Sequence, residues 1–373
     1  MSELREAIRA DKTGTEASLA LASIHFARGE NALAVSFANA YLSTPGRQQK
    51  EYAYILGAQA LTEMGEYDRA RKAVEALSGV VSSEQVVVIR SAAIDMAESG
   101  TDAAIRSIEN SGLDLLDPAN LDLFRIWVDY LVQARRGEAA LARAEAGVKR
   151  HPESSGHREV QANVLARLER SDEAKAAYEK ALDLDSNNAS AIGGLATLTA
   201  TDGDLIAGIA GFDRAAALAP DEESFAYSAA QLTLMSGDRE GAEARLREIV
   251  RRDPGHAGAR NDLAWLLTEE GEDLDLALSL AEAARRIDPS PDILDTLGYV
   301  YLKRGESTAA VAALEMAVEA RADSPSIRYR LATALDQAGD SQRAREMLQI
   351  ALQSDAFPEA EAARRDLARL ESP

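Results

Sequence analysis

The sequence contains no cysteine, which excludes disulfides, thiolate-bound metals and cysteine nucleophiles but leaves oxidising and reducing compartments equally open. It is also poor in aromatic residues, with two tryptophans among 373 positions, so its apolar mass is mostly alanine and leucine. That balance suits closely packed helices better than strands. No apolar run reaches the roughly eighteen residues that a membrane-crossing helix needs, and no direct membrane insertion is expected. The opening residues, with Glu3, Arg5 and Glu6 together, offer no apolar signal-peptide core. The phosphate loop GxxxxGK[ST], the HExxH pair and the GxSxG elbow are all missing, so neither an enzyme nor a cofactor is expected.

Positive charge is scarce as well. Lysine and arginine total 41 against 62 aspartate and glutamate, a formal net charge of -21. A phosphate backbone would be repelled rather than neutralised, so nucleic acid is not an expected partner. The same acidity keeps an extended protein soluble and favours partners with basic segments.

What the chain does have is self-similarity. The stretches "DEAKAAYEKALDLDSNNASAIGGLA", "EGAEARLREIVRRDPGHAGARNDLA" and "TAAVAALEMAVEARADSPSIRYRLA" end at Ala196, Ala264 and Ala332, two steps of 68 residues. Frames opening at Leu121, Ser155, Ala189, Glu223, Ala257, Pro291 and Pro325 hold a 34-residue step without drift. Looser frames open at Thr15, Glu51 and Val86, and a last helix is expected from Pro358. Within a frame, apolar residues recur at helical spacing, as at Leu263, Leu266 and Leu267 and again at Ala277, Leu280, Ala281 and Ala284.

A glycine and an acid separate the two apolar stretches at Gly29-Glu30, Gly65-Glu66, Gly203-Asp204, Gly237-Asp238, Gly271-Glu272, Gly305-Glu306 and Gly339-Asp340. Glycine can end one helix in the left-handed conformation and the acid favours the start of the next, so each frame reads as a helix hairpin. Small residues at Ala162, Ala196, Ala230, Ala264, Gly298 and Ala332, and at Ala174, Gly208, Ala242, Ala310 and Ala344, mark where helices approach closely. Pro152, Pro220, Pro254 and Pro289 close the second helices.

The period, the leucine with its small neighbour, the alanine near residue 20 and the proline near residue 32 of a frame together resemble the tetratricopeptide repeat. The resemblance implies an all-α fold, a right-handed superhelical solenoid of about ten helix hairpins with a C-terminal capping helix. It divides the chain into degenerate repeats over 15–120, seven regular repeats over 121–357 and the cap over 358–373. Departures fall at Trp127 and Val128, which replace the small pair, at "IENSGLDLLDP", and at one extra residue between Gly271 and Ala277. Residues 1–14 read as a partial repeat, with Leu4 and Ala7 at the places of Leu246 and Ile249, or as an N-terminal capping helix. The first reading puts the start of the array upstream, with Met1 an added start.

"NDLAWLLTEEGEDLDLALSLAEAARRIDPSPDILDTLGYVYLKRGE" and its continuation to Leu370 are similar to the C-terminal part of tetratricopeptide proteins of bacterial exopolysaccharide and PEP-CTERM (exosortase) systems. That resemblance implies a periplasmic or outer-envelope location if an export signal has been removed; otherwise the location is cytoplasmic.

His25, His151, His157 and His256 are expected far apart, without a shared metal. Asp183, Asp185 and Asn187 have calcium-loop spacing, but Asn188 stands where the loop needs glycine and Gly194 where it needs glutamate, so a helix end and turn are expected. What remains is surface. By the resemblance, positions 2, 5, 9 and 12 of a frame line a concave groove, and these include Asn163, Thr197, Tyr227, Gln231, Asn261, Trp265, Tyr299, Tyr329 and Thr333. Aromatic and amide side chains combine contact area with hydrogen bonding, as an extended peptide or a helix in the groove would require. The alternative for Trp265 and Tyr299 is packing between adjacent repeats. Arg125, Asp129, Glu159 and Arg167 make the earlier wall charged, and no cluster converging on a peptide C-terminus is evident. The expected function is a non-catalytic scaffold that binds a protein or peptide. The alternatives are the regulatory arm of a larger enzyme or signalling protein, and self-assembly, with the oligomeric state open.

Overall fold

The structure, a computed structural model, describes residues 16–44, 48–271, 273–354 and 356–371; the expectation for residues 1–14 lies outside them. The described residues form helices and turns with no strand. The first three hairpins pair α1 (Glu16–Phe26) with α2 (Asn31–Leu42), α3 (Lys50–Glu63) with α4 (Tyr67–Ser78), and α5 (Glu84–Ser99) with α6 (Thr101–Glu109). The next four pair α7 (Leu121–Gln133) with α8 (Gly137–Arg150), α9 (Ser155–Arg167) with α10 (Ser171–Leu184), α11 (Ala189–Thr201) with α12 (Leu205–Leu218), and α13 (Glu223–Met235) with α14 (Arg239–Arg252). The last three pair α15 (Ala257–Glu270) with α16 (Leu274–Ile287), α17 (Pro291–Lys303) with α18 (Ser307–Ala320), and α19 (Pro325–Gln337) with α20 (Ser341–Ala351); α21 (Ala360–Glu371) follows alone. The chain divides into two compact units, residues 1–232 and 233–373.

From Leu121 onward each first helix begins at the residue that opens its 34-residue frame. All seven turn glycines named above have positive φ, from 68° at Gly29 to 100° at Gly203. Hairpins that lack the glycine turn the same way at a strained residue, Arg135 (φ 59°) or Glu169 (φ 61°). Of the acids that follow, Asp204, Asp238 and Asp340 each accept the backbone N–H three residues on; after Gly271 the expected Glu272 lies outside the described residues and Asp273 is the cap, accepting from Leu276 N. Glu30, Glu66 and Glu306 make no such bond, because the extra methylene carries the carboxylate past the N–H that a cap must accept.

The departures are local. The extra residue near Gly271 lengthens α15 to 14 residues, where the first helices from α7 to α13 have 13. The link from Ile287 to Pro291 is correspondingly one residue shorter than the other links in this part of the array, which restores the period. "IENSGLDLLDP" ends α6 after nine residues and continues as a turn with Gly112 at φ 78°. The small residues are buried throughout, and Gly298 shows why: a Cβ there would lie 2.4 Å from Leu314 Cγ. Trp127 and Val128 are buried in the core of the first unit, next to Phe124 and Leu131.

Candidate functional site

In the first unit the first helices α7, α9 and α11 enclose a cleft of about 520 Å³. Its floor is apolar, with Val128, Val160, Val164 and Leu198 all buried. Arg125, Asp129, Asn163, Arg167 and Thr197 stand around it, so positions 5 and 9 of successive frames share one surface. A glycine leaves room for a tyrosine at the cleft: a Cβ on Gly194 would fall 2.3 Å from Tyr178 Cζ.

A polar network braces one wall of the cleft. Arg125 donates from Nη2 and Nε to Glu159 Oε2 at 2.7 and 3.0 Å. Asn163 Nδ2 donates to Glu159 Oε1 at 2.6 Å and Tyr178 Oη donates to Asn163 Oδ1. Burial, then the charge of Glu159, pushes the Tyr178 hydroxyl well above its ordinary pKa, so it remains a donor. Glu159 is therefore not the open wall charge expected from the sequence: it is 2% exposed, because adjacent frames place Arg125 directly across from it. Asp129 and Arg167 are ion-paired across the rim.

Tyr227 and Gln231 lie on α13 within the first unit, half-buried and exposed respectively. In the second unit Asn261 and Trp265 share one face of α15. Trp265 is half-buried with the Arg239 guanidinium 5.8 Å from its ring centroid; Asn261 Nδ2 donates to Asp262 at 3.3 Å while its Oδ1 is buried without a partner. Tyr299 is flanked by Lys303 Nζ at 5.3 Å and Arg330 Cζ at 5.6 Å, and its hydroxyl donates to Glu269. Arg330 pairs with Asp295 and, at 3.2 Å, with Glu359. Tyr329 packs among Ala332, Leu348 and Ala363 and donates to Asp366 at 3.3 Å; Thr333 donates to the Tyr329 carbonyl at 3.0 Å. Burial outweighs Arg330 at Asp295 and pushes its carboxyl from the ordinary range up to about 6.

A second expectation changes. His151 and His157 are not far apart: their rings stack at 5.1 Å, with Phe124 5.2 Å from His157. The short turn between α8 and α9 folds the end of one helix over the start of the next. His157 is fully buried, and burial, then His151, holds its pKa below the usual imidazole value. Among the described residues no three His, Asp or Glu side chains are grouped to hold a metal. Tyr178, Asp295, Arg330 and Glu359 carried no expectation from the sequence. The register itself held a signal, since Arg125 and Glu159 have opposite charge at the same position of adjacent frames. "DLDSNN" is the end of α10 followed by a turn, with Asp185 accepting from Asn187 N and Asn188 capping α11.

These helix hairpins, repeated along the chain at a 34-residue step from Leu121 onward, define an all-helical repeat protein. Family models described as tetratricopeptide repeat match residues 200–356 and 127–189, and the chain is a tetratricopeptide-repeat protein. No curated protein matches the sequence significantly. Among solved structures, a chain of the APC/C hetero-tetramer Cut9–Hcn1 is similar with a TM-score of 0.61 at 19% identity, over 99% of this chain and 72% of that one. PilF of Pseudomonas aeruginosa is similar with a TM-score of 0.51 at 14% identity, over 58% of this chain and 98% of that one. At such identities the likeness speaks for the fold alone, a tetratricopeptide-repeat solenoid. No helix among the described residues is long and apolar enough to cross a membrane.

Proposed function

We propose that the chain is a non-catalytic scaffold that holds a segment of a partner protein against its first helices, and that it serves the assembly or export of a bacterial exopolysaccharide in the cell envelope. One observation carries the binding part: the cleft between α7, α9 and α11, with a buried apolar floor and a rim of Arg125, Asp129, Asn163 and Arg167. A floor of this kind accepts an apolar side chain while the rim fixes the direction of the backbone that bears it. In the second unit, Asn261, Trp265, Tyr299 and Tyr329 offer the aromatic and amide surface that interaction hot spots favour, and Tyr227 and Gln231 do so in the first. The polysaccharide role and the envelope location rest on the resemblance of Ala257 to Leu370.

The test is affinity capture from separate envelope and cytosolic fractions of the source cell with three baits: wild type, Thr197→Trp, and Trp265→Ala with Tyr299→Ala. Thr197 is exposed at the cleft, so tryptophan there fills the space without entering the core. The expected result is envelope proteins of polysaccharide assembly on the wild type, lost with one or both variants. Partners unchanged by both variants would refute the groove; partners found only in the cytosol would refute the envelope role.

A further inference from the structure

Arg90 occupies the fifth position of its frame, the position that Arg125, Glu159, Asn261 and Tyr329 hold in theirs. It lines a cavity of about 160 Å³ between α3 and α5, together with Gln59, Thr62, Glu63 and Ile94. Its Nε is buried and meets no acceptor, and among the described residues no carboxylate lies within ion-pair distance of its guanidinium.

None of the described carboxylates nearby is paired with Arg90. Asp95 and Glu98, further along α5, both pair with Arg71. Glu63 accepts from Asn31 Nδ2 at 2.8 Å. Thr62 donates to the Ala58 carbonyl at 2.8 Å, and the Gln59 amide, which also lines the cavity, stands at the ninth position of its own frame. Burial alone pulls the Arg90 pKa down, with no charge opposing it. A partly desolvated guanidinium without a counter-charge is unfavourable. In a chain of net charge -21, whose other cleft-lining arginines Arg125 and Arg167 are paired, the absence of a partner here points outward to a ligand.

We propose that Arg90, with the Gln59 amide, binds an aspartate or glutamate side chain of the same partner segment whose apolar residue enters the cleft between α7, α9 and α11. This rests on the groove reading above. A guanidinium matches a carboxylate in charge and can hold it with two parallel hydrogen bonds. The groove positions continue past Arg90 in both directions, to Gln59 on α3 and to Arg125 on α7, so the segment has no need to end there, and a side chain rather than a chain terminus is the source. The helices α5, α7 and α9 touch in succession. Axes of packed helices lie about 8–10 Å apart, so Arg90 and the cleft floor on α9 are separated by roughly 16–20 Å, or about five or six residues of extended chain. The recognised pattern is thus an acidic residue and a large apolar residue about five or six positions apart.

The experiment is selection from a random dodecapeptide phage library whose peptides are fused at their C-termini and so carry no free terminal carboxylate, with wild type, Arg90→Gln and Arg90→Glu as targets. A parallel library presents free C-termini. The wild type is expected to enrich an acidic residue at fixed distance from an apolar one, in both libraries. Arg90→Gln is expected to lose the acidic preference and keep the apolar one, and Arg90→Glu to select lysine or arginine instead. A selected peptide is expected to bind Arg90→Gln about tenfold or more weakly, the scale of a lost charge-assisted hydrogen bond.

Apolar enrichment without acidic preference overturns this inference and leaves the groove reading standing; no enrichment in either library overturns both. Acidic dependence found only with free C-termini makes the ligand a chain terminus and overturns the side-chain source. Arg90→Met is expected to melt no lower than wild type, since methionine fills the site without a charge. A drop of several degrees would make Arg90 a structural residue and overturn its assignment to a ligand.

Discussion

At the fifteenth residue of each frame the backbone passes through positive φ, and the residue found there sets how much strain the hairpin holds. Gly203, Gly237, Gly305 and Gly339 meet the requirement without a Cβ; Arg135 and Glu169 meet it with one. A left-handed conformation costs an L-residue about 1–2 kcal/mol, and glycine gives back about 0.5–1 kcal/mol through its looser unfolded chain. Arg135→Gly and Glu169→Gly are each expected to stabilise the protein by about 0.5–1 kcal/mol, read as a higher urea midpoint at unchanged slope. Both side chains are exposed, so a lower midpoint would mean that the turn is not where the strain lies. The glycine turns were legible in the sequence because glycine advertises a left-handed residue. Arg135 and Glu169 carry no such mark, and only the 34-residue register locates them.

Between elements the decisive quantity is how closely two helices approach. Gly298 on α17 faces Leu314 on α18, which is fully buried, and an added Cβ would stand 2.4 Å from its branching carbon. Overpacking of this kind costs about 1–3 kcal/mol, against about 1 kcal/mol that alanine contributes to an exposed helix interior. Gly57 on α3 is the control: its nearest neighbour would be Ala38 Cβ at 3.9 Å. Gly298→Ala is expected to destabilise and Gly57→Ala to stabilise by up to about 1 kcal/mol, and chemical denaturation of the two variants decides between packing and propensity. At this scale the sequence was informative about helix starts, because period and capping chemistry agree. It was less so about the site. The brace of Glu159, Asn163 and Tyr178 joins two first-helix residues to one from a second helix, and the pairing of Asp295 with Arg330 crosses from the fifth position of one frame to the sixth of the next. Burial decides what such residues do, and periodicity assigns them only a face.

At the scale of the whole molecule, one titrating group in each unit is expected to make the two units answer acid in opposite directions. In the first unit, burial holds the His157 pKa below its unfolded value, with the charges of His151, Arg125 and Arg150 adding to the effect and the Leu116 backbone opposing it. The unfolded chain therefore takes up the proton first. The stability contributed by neutral His157 is complete above the ordinary imidazole pKa and is lost as pH falls through the depressed folded value. In the second unit, Asp295 is pushed up to about 6 by burial, with Asp292 and Glu359 adding to the shift and Arg330 opposing it. Here the folded state takes up the proton first, so stability is greatest in acid and declines as pH rises through about 6. From pH 7.5 to 5.5 the Asp295 site is expected to gain on the order of 1 kcal/mol, since a proton bound by the folded state alone is worth about 1.4 kcal/mol per pH unit. Hydrogen exchange, expressed as opening free energies at the two pH values, is expected to show weaker protection around α8 and α9 and stronger protection around α17 and α19. Asp295→Asn is expected to abolish the gain in the second unit while leaving the loss in the first, and His157→Asn to do the reverse. Parallel responses in both units would mean that the net charge of the chain, rather than these two buried groups, governs its response to acid.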